Sequence, residues 1–498
     1  MNLYDIFRER FPTDRSLPFH EIAAGELSGS RVSYADVETQ TARLANRLAR
    51  LGARPGDRVA AQIEKSPEAV LLYLACLRGG FVYLPLNPAY RRDEVAYFLV
   101  DAEPAVYACA PERVGEVDAG TAQVVTLDAA GGGSLLDGLE SEAAECASFG
   151  CDGDTPAAIL YTSGTTGRSK GAVLSHANLA ANARALHAAW GFAADDVLLH
   201  ALPVFHAHGL FVALNTTLLN GTSIQFLPRF DPRDVLRCLP KSTVMMGVPT
   251  HYTRLLAEAE FSAEQCASMR LFVSGSAPLL AATFEEFRER TGHTLLERYG
   301  MTETGMNTSN PLDGERVAGS VGLPLPGVEC RICDADGRAV DPGEVGGLEV
   351  RGPNVFREYW RMPEKTASEF REGGWFITGD LARIDERGYV HLVGRAKDLV
   401  ISGGLNVFPK EVEGVIDDCP GVLESAVFGL PDADFGEAVC AAVVAESDES
   451  PEPEAVIAFV KERLAGFKAP KRVFVVADLP RNAMGKVQKN RLREEHGE

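Results

Sequence analysis

Residues 161–172, YTSGTTGRSKGA, gather hydroxyls, glycines and cations directly behind an apolar, strand-like run at 157–161. Gly164 and Gly167 let a backbone approach an anion closely, and the amides of such a loop can point at it. The hydroxyls of Thr162, Ser163, Thr165 and Thr166 add donors, and Arg168 and Lys170 add charge. So many donors after a strand suit phosphate oxygens better than a plain surface connection. The loop is not a Walker A motif, which needs Gly-x-x-x-x-Gly-Lys-Ser/Thr. Here the glycines are three apart and Lys170 is followed by Gly171.

Two other pairs could ligate a metal. His206 and His208 flank Ala207, but no third ligand stands nearby, so a buried histidine pair or a substrate contact is the better expectation. Cys330 and Cys333 lie in a strand-like run without a second pair, and the ten scattered cysteines read as free thiols of a reducing compartment. The net charge is −21 with no long Lys/Arg run, which argues against a nucleic-acid partner. An acidic protein that binds an anion must concentrate positive charge locally. Arg168, Arg229, Arg270 and Arg298 are therefore candidates.

These groups need elements to hold them. A chain of 498 residues exceeds one ordinary domain. Ser33 and Asp36 form a capping signal, and Val37, Leu44, Leu48 and Leu51 follow at helical spacing until Gly52. A strand at 58–63, a helix from Pro67 to Gly79 and Gly80, and a strand at 81–86 come next. Alternation of this kind predicts an α/β fold, with parallel sheets and helices packed on their faces. From about 325 the strands shorten and glycine turns multiply, so 1–394 reads as a large domain with a β-rich subdomain at 325–394. Residues 395–498 read as a small α+β domain. The longest apolar run, 69–77, falls far below the roughly 20 residues of a membrane span. The N-terminal residues lack a signal-peptide core, so the expected location is the cytoplasm.

Several motifs in order resemble the superfamily of acyl-CoA synthetases, luciferases and peptide-synthetase adenylation domains. They are TSGTTGRSKG, then RYGMTE at 298–303, TGD at 378–380, Gly394-Arg395, and PRNAMGK at 480–486. The resemblance covers essentially the whole chain and implies ATP, Mg2+ and coenzyme A. It implies that Gly275, Ser276 and Ala277 flank the adenine, with Glu297, Arg298, Tyr299 and Gly300 opposite. Thr302 corresponds to an α-phosphate contact, and Glu303, with Thr165, to the metal-associated position. Asp380 matches the carboxylate that accepts the ribose hydroxyls, and Arg395 a basic residue beside it. Lys486 matches the lysine required for adenylation, and Lys397 a hinge about which the small domain rotates between half-reactions. Gly403 and Gly404 then border the thiol's passage. A second lysine often found in the last motif is replaced here by Arg481.

Three segments, 205–209, 306–311 and 351–356, resemble the malonate-activating branch. That likeness implies Arg229, Arg270 and His206 near the distal carboxylate, and Ala207 and Met306 beside the α-carbon, with room for a 2-methyl group. Burying the second carboxylate without a cation would be prohibitive. Other readings are a ligase for acetate, oxalate or an aryl acid, and an enzyme that loads a carrier protein. A silent nucleotide-binding homologue is disfavoured because Lys486 and Glu303 are both present. Acylation of Lys486 by a lysine acyltransferase would remove the charge that adenylation uses.

Overall fold

The computed structural model describes residues 1–24, 29–162, 169–402, 405–432, 435–446, 451–482 and 485–497. The helix Tyr34–Arg50 starts from the expected box: Ser33 Oγ accepts from the Asp36 amide, and the Asp36 carboxylate accepts from the Ser33 amide. The helix Pro67–Gly79 is buried on nearly every side, as its apolar sequence requires, and Gly80 ends it at a φ of 74°.

Two compact units make up the chain. The first comprises Met1–Ala318, Gly322–Glu329 and Arg351–Gly374; the second comprises Gly319–Val321, Cys330–Val350 and Trp375–Glu498. In the first, six parallel strands run in the order Leu296–Met301, Leu271–Ser274, Val244–Gly247, Val197–His200, Ser223–Phe226 and Pro18–Ile22. A second sheet places Pro156–Thr162 parallel to Val82–Pro85, followed by Arg58–Gln62, Val106–Cys109 and Gln123–Thr126. The α/β class expected from the alternation is the one observed.

In the second unit Trp375–Ile384 pairs antiparallel with Gly346–Arg351 and with Val390–Arg395. Val422–Asp432 and Gly436–Ala445 form a long hairpin, and Arg472–Val476 joins it in parallel. The helices Pro409–Asp417 and Pro453–Arg463 contribute Val412, Ile416, Val456 and Val460 to a valine-rich core beneath it. Among the described residues, no helix is long and apolar enough to cross a membrane.

Candidate active site

Open parallel sheets bind ligands beyond the carboxyl ends of their strands. On the first sheet, those ends lead into the segments carrying Arg229, His206, His251 and Ser276. Arg298 joins them because Ser274 pairs with Glu297, which sets Arg298 one step beyond the end of Leu271–Ser274.

Arg298 is 2% exposed, and its Nε and Nη2 have no hydrogen-bond partner among the described residues. Its guanidinium lies against Gly275, where a Cβ would come within 2.6 Å of Cζ, so a side chain there would have to displace the guanidinium. Burial draws Arg298 down from the ordinary arginine value to about 9, against the opposing influence of Tyr252 and Glu297. Two imidazoles share its field. His206 is lowered to about 4, by burial first and by Arg298 second, and His208 is pushed well down by the same causes. Both are neutral near pH 7. The His208 amide donates to His206 Nδ1 at 3.2 Å, and His208 Nδ1 lies 3.2 Å from Ser276 Oγ. Ser276 is held at a φ of 73°, a strained conformation for serine of the kind found at ligand sites. The pocket thus has one desolvated cation and neutral donors, a match for one carboxylate.

Ala207 and Met306, at 4% and 3% exposure, are buried apolar residues of this unit. Asn182 fixes the Met306 backbone from both sides: its Nδ2 donates to the carbonyl at 2.9 Å and its Oδ1 accepts from the amide at 3.1 Å. Glu297 accepts from the Leu279 amide at 3.4 Å, Tyr299 and Gly300 continue the strand, and Thr302 follows it, partly exposed. Ala277 is partly exposed just beyond Ser276.

Thr162, at the carboxyl end of its strand, meets Glu303: its Oγ1 donates to Oε1 at 3.3 Å. Tyr359 also approaches, with its hydroxyl 3.0 Å from the same oxygen and 2.7 Å from Glu369 Oε2. Burial, then the Glu303 charge, raises the Tyr359 hydroxyl far above its ordinary value, so it acts as a donor. Lys170 joins this cluster. Its Nζ pairs with Glu369 Oε1 at 3.0 Å and lies 4.2 Å from the Tyr359 ring centroid. Burial opposes ionisation of Glu369, but hydrogen bonds from Lys365, Tyr359 and Lys170 outweigh it and hold its value low. Ser163, Gly164, Thr165, Thr166, Gly167 and Arg168 lie outside the described residues, as do Gly403 and Gly404.

In the second unit, two motifs widely spaced in the resemblance become cross-strand partners. Asp380 pairs with Arg395, and Asp380 Oδ1 lies 2.7 Å from Arg395 Nε. Thr378 Oγ1 donates to the Leu348 carbonyl at 2.7 Å and accepts from the Asp380 amide at 3.1 Å, which fixes the carboxylate's stem. Lys397 follows in the turn Ala396–Asp398 and is exposed. Lys486 stands on a turn closed by the Arg481–Val487 bridge, with its amide donating to Asn482 Oδ1 at 3.0 Å. Burial first, then Arg395 and Lys397, draws its ammonium down to about 8, against the pull of Asp380. The residue as a whole is exposed, so the neighbouring cations are the firmer cause. Arg481 donates to the Gly485 carbonyl at 2.6 Å and pairs with Glu424, so it shapes this turn.

Arg270 corrects an expectation. It precedes the strand Leu271–Ser274, and so sits at the amino edge, opposite His206 and Ser276. Its Nε donates to Asp196 Oδ1 at 2.7 Å and its Nη1 to the Trp190 carbonyl at 3.1 Å. The partner carboxylate's side chain is only 2% exposed, which makes Arg270 a structural counter-ion. Arg270→Ala is expected to cost roughly 3 kcal/mol of stability, by leaving Asp196 buried and unpaired. Thermal unfolding should shift down while the KM for the acid stays within about twofold; a large rise in that KM would return Arg270 to the pocket. Arg229 follows the carboxyl end of Ser223–Phe226 and is exposed, without an ion pair among the described residues. Cys330 and Cys333 lie on the strand Glu329–Cys333. Tyr359 and Glu369 escaped the sequence reading because nothing in their spacing marks them. His208 was visible only as half of a pair.

Residues 9–360 match the model of the AMP-binding enzyme family, and 411–486 match that of the AMP-binding enzyme C-terminal domain. The malonate–CoA ligase of Arabidopsis thaliana is 35% identical, over 96% of this chain and 84% of its own length. A feruloyl-CoA synthase from Amycolatopsis sp. is 36% identical, over 98% of each chain. ATP-bound MatB from Rhodopseudomonas palustris superposes with a TM-score of 0.96 at 53% identity, covering 100% of this chain and 99% of its own. With both family models matched in order and most of its length covered, the chain belongs to the AMP-binding enzyme family.

Proposed function

We propose that this protein is an ATP-dependent, AMP-forming ligase that joins malonate to coenzyme A. The observation that carries this reading is the buried guanidinium of Arg298, whose Nε and Nη2 have no partner among the described residues, beside neutral His206 and His208. A desolvated cation of this kind favours an acid with a second carboxylate, and an aryl or alkyl tail would leave it uncompensated.

In the first half-reaction one malonate carboxylate attacks the α-phosphorus of ATP. A P–O bond forms, pyrophosphate leaves, and malonyl-AMP results. In the second, the thiol of coenzyme A attacks the acyl carbon, AMP leaves with the mixed-anhydride oxygen, and the thiol proton passes to solvent. Arg298 and His206 hold the distal carboxylate, and Ala207 and Met306 border the α-carbon. Ala207 leaves space for the 2-methyl group of methylmalonate as a slower substrate. Thr302 and the phosphate loop, with Ser163, Gly164, Thr165, Thr166, Gly167 and Arg168, receive the phosphates. Asp380 takes the ribose hydroxyls, while the Lys486 ammonium opposes the negative charge that builds as two anions meet.

Mg2+ fits the donor set as a partner of the nucleotide. Glu303 offers one carboxylate oriented by Thr162 and Tyr359, and among the described residues no cluster of three ligands exists. Magnesium is commonly held by one or two carboxylates together with substrate phosphates. Bound there, it would neutralise phosphate charge.

Lys397 is the proposed pivot of domain rotation, with Gly403 and Gly404 lining the thiol's path. A lysine acyltransferase acting on Lys486 is a proposed regulatory partner. Single-turnover experiments test the two-step scheme. With Mg2+-ATP and malonate but no coenzyme A, malonyl-AMP should accumulate on the enzyme and convert to thioester when coenzyme A is added. Release of ADP and inorganic phosphate instead would rule out an adenylate.

A further inference from the structure

Lys65 is a buried lysine that the proposed chemistry does not use. It is 8% exposed and has no ion pair among the described residues. Its Nζ donates to the His200 carbonyl at 2.8 Å and lies 2.7 Å from His200 Nδ1, with the Phe226 ring centroid 4.4 Å away. On the far side of the same imidazole, Nε2 meets the Gly209 carbonyl at 2.9 Å. That contact assigns the tautomer: Nε2 carries the proton, and Nδ1 offers its lone pair to Lys65.

A chain of hydrogen bonds therefore runs from the segment after Arg58–Gln62, through the end of Val197–His200, to the π-helix His208–Leu214. The loop between the last two anchors carries His206 and Ala207. It is closed tightly, because a Cβ on Gly209 would lie 2.0 Å from the Pro203 carbonyl oxygen. π-Helical segments are rare and frequently mark functional sites.

We propose that Lys65 is a positioning residue for the acid pocket: through His200 and the Gly209 carbonyl it fixes the loop that presents His206 and Ala207 to the substrate. Stability alone does not explain it, since an apolar side chain of similar length would avoid the desolvation of an amine. Precise placement does, because a displacement of about 1 Å in a binding group has large kinetic consequences. The inference rests on malonate being the acid held by His206 and Arg298.

Lys65→Met is the first test. The KM for malonate should rise about tenfold, the KM for ATP should stay within about twofold, and the Tm should not fall. An unchanged KM for malonate overturns the proposal. So does a joint rise of both KM values with a lowered Tm, which is what a merely structural role produces. Two His200 variants keep the question open to refutation if Lys65→Met does not fold. His200→Gln places an amide nitrogen where Nε2 donates to Gly209, whereas His200→Asn reaches only the Nδ1 position. Each variant cuts the chain at one end, so both should raise the malonate KM while the KM for ATP stays within about twofold; a wild-type malonate KM in His200→Gln, which keeps the Gly209 contact but loses the Nδ1 partner of Lys65, contradicts the proposal. Wild-type turnover, measured alongside, separates the two readings. An enzyme that uses another acid sinks the malonate assignment, and the same KM comparison is then made with that acid.

Discussion

Lys486→Gln should slow malonyl-AMP formation by about 10²–10³-fold, the range seen when one preorganised electrostatic partner is removed from a transition state. The same variant should convert supplied malonyl-AMP to thioester at close to the wild-type rate, because no new charge meets the phosphate in that step. A variant slowed equally in both steps would show that Lys486 acts on the fold or on nucleotide affinity. The charge also sets a pH window. Lys486 is drawn down to about 8 in the folded protein, so its ammonium is present below that value and lost as pH rises through it. Adenylation should therefore decline above about pH 8 while thioester formation follows a different profile. A coincident decline would point to another group.

Arg298→Met is the second large effect. Removing the cation should lower kcat/KM for malonate by about 30-fold or more, the equivalent of roughly 2–5 kcal/mol for a desolvated charge pair. The effect on stability should have the opposite sign. The guanidinium is buried with unpartnered Nε and Nη2, so an apolar replacement should leave the Tm of the free enzyme unchanged or raise it. Activity lost together with stability would mean that Arg298 supports the fold. Retained malonate activity would shift the distal-carboxylate role to the exposed Arg229.

How far the site could be read from the residues depended on whether local pattern or tertiary pairing decides. The capping box at Ser33 and the buried helix Pro67–Gly79 follow from local periodicity, and both formed as expected. Asp380 and Arg395 could be named from their motifs, yet only the register of Trp375–Ile384 on Val390–Arg395 makes them neighbours. Arg270 shows the limit. Its type suited an anion site, but which end of a parallel strand a residue occupies, and whether a buried carboxylate such as Asp196 already matches it, are facts of packing. The pairing of Lys170 with Glu369 was hidden for the same reason, since the two lie nearly two hundred residues apart in sequence. Arg298 was one arginine among four until burial distinguished it. The π-helix His208–Leu214 carries no periodic signature, and an ordinary helical reading of that stretch would aim its side chains differently.

A comparison of kcat/KM for malonate, acetate, benzoate, ferulate and octanoate, with Mg2+-ATP and coenzyme A and with AMP and thioester both measured, weighs the assignment most directly. A buried Arg298 awaiting a second carboxylate predicts malonate ahead of every monocarboxylate by about 30-fold or more, with AMP and thioester formed in equal amounts. Preference for ferulate, benzoate or octanoate would keep the adenylate chemistry of the family but contradict the pocket built around Arg298.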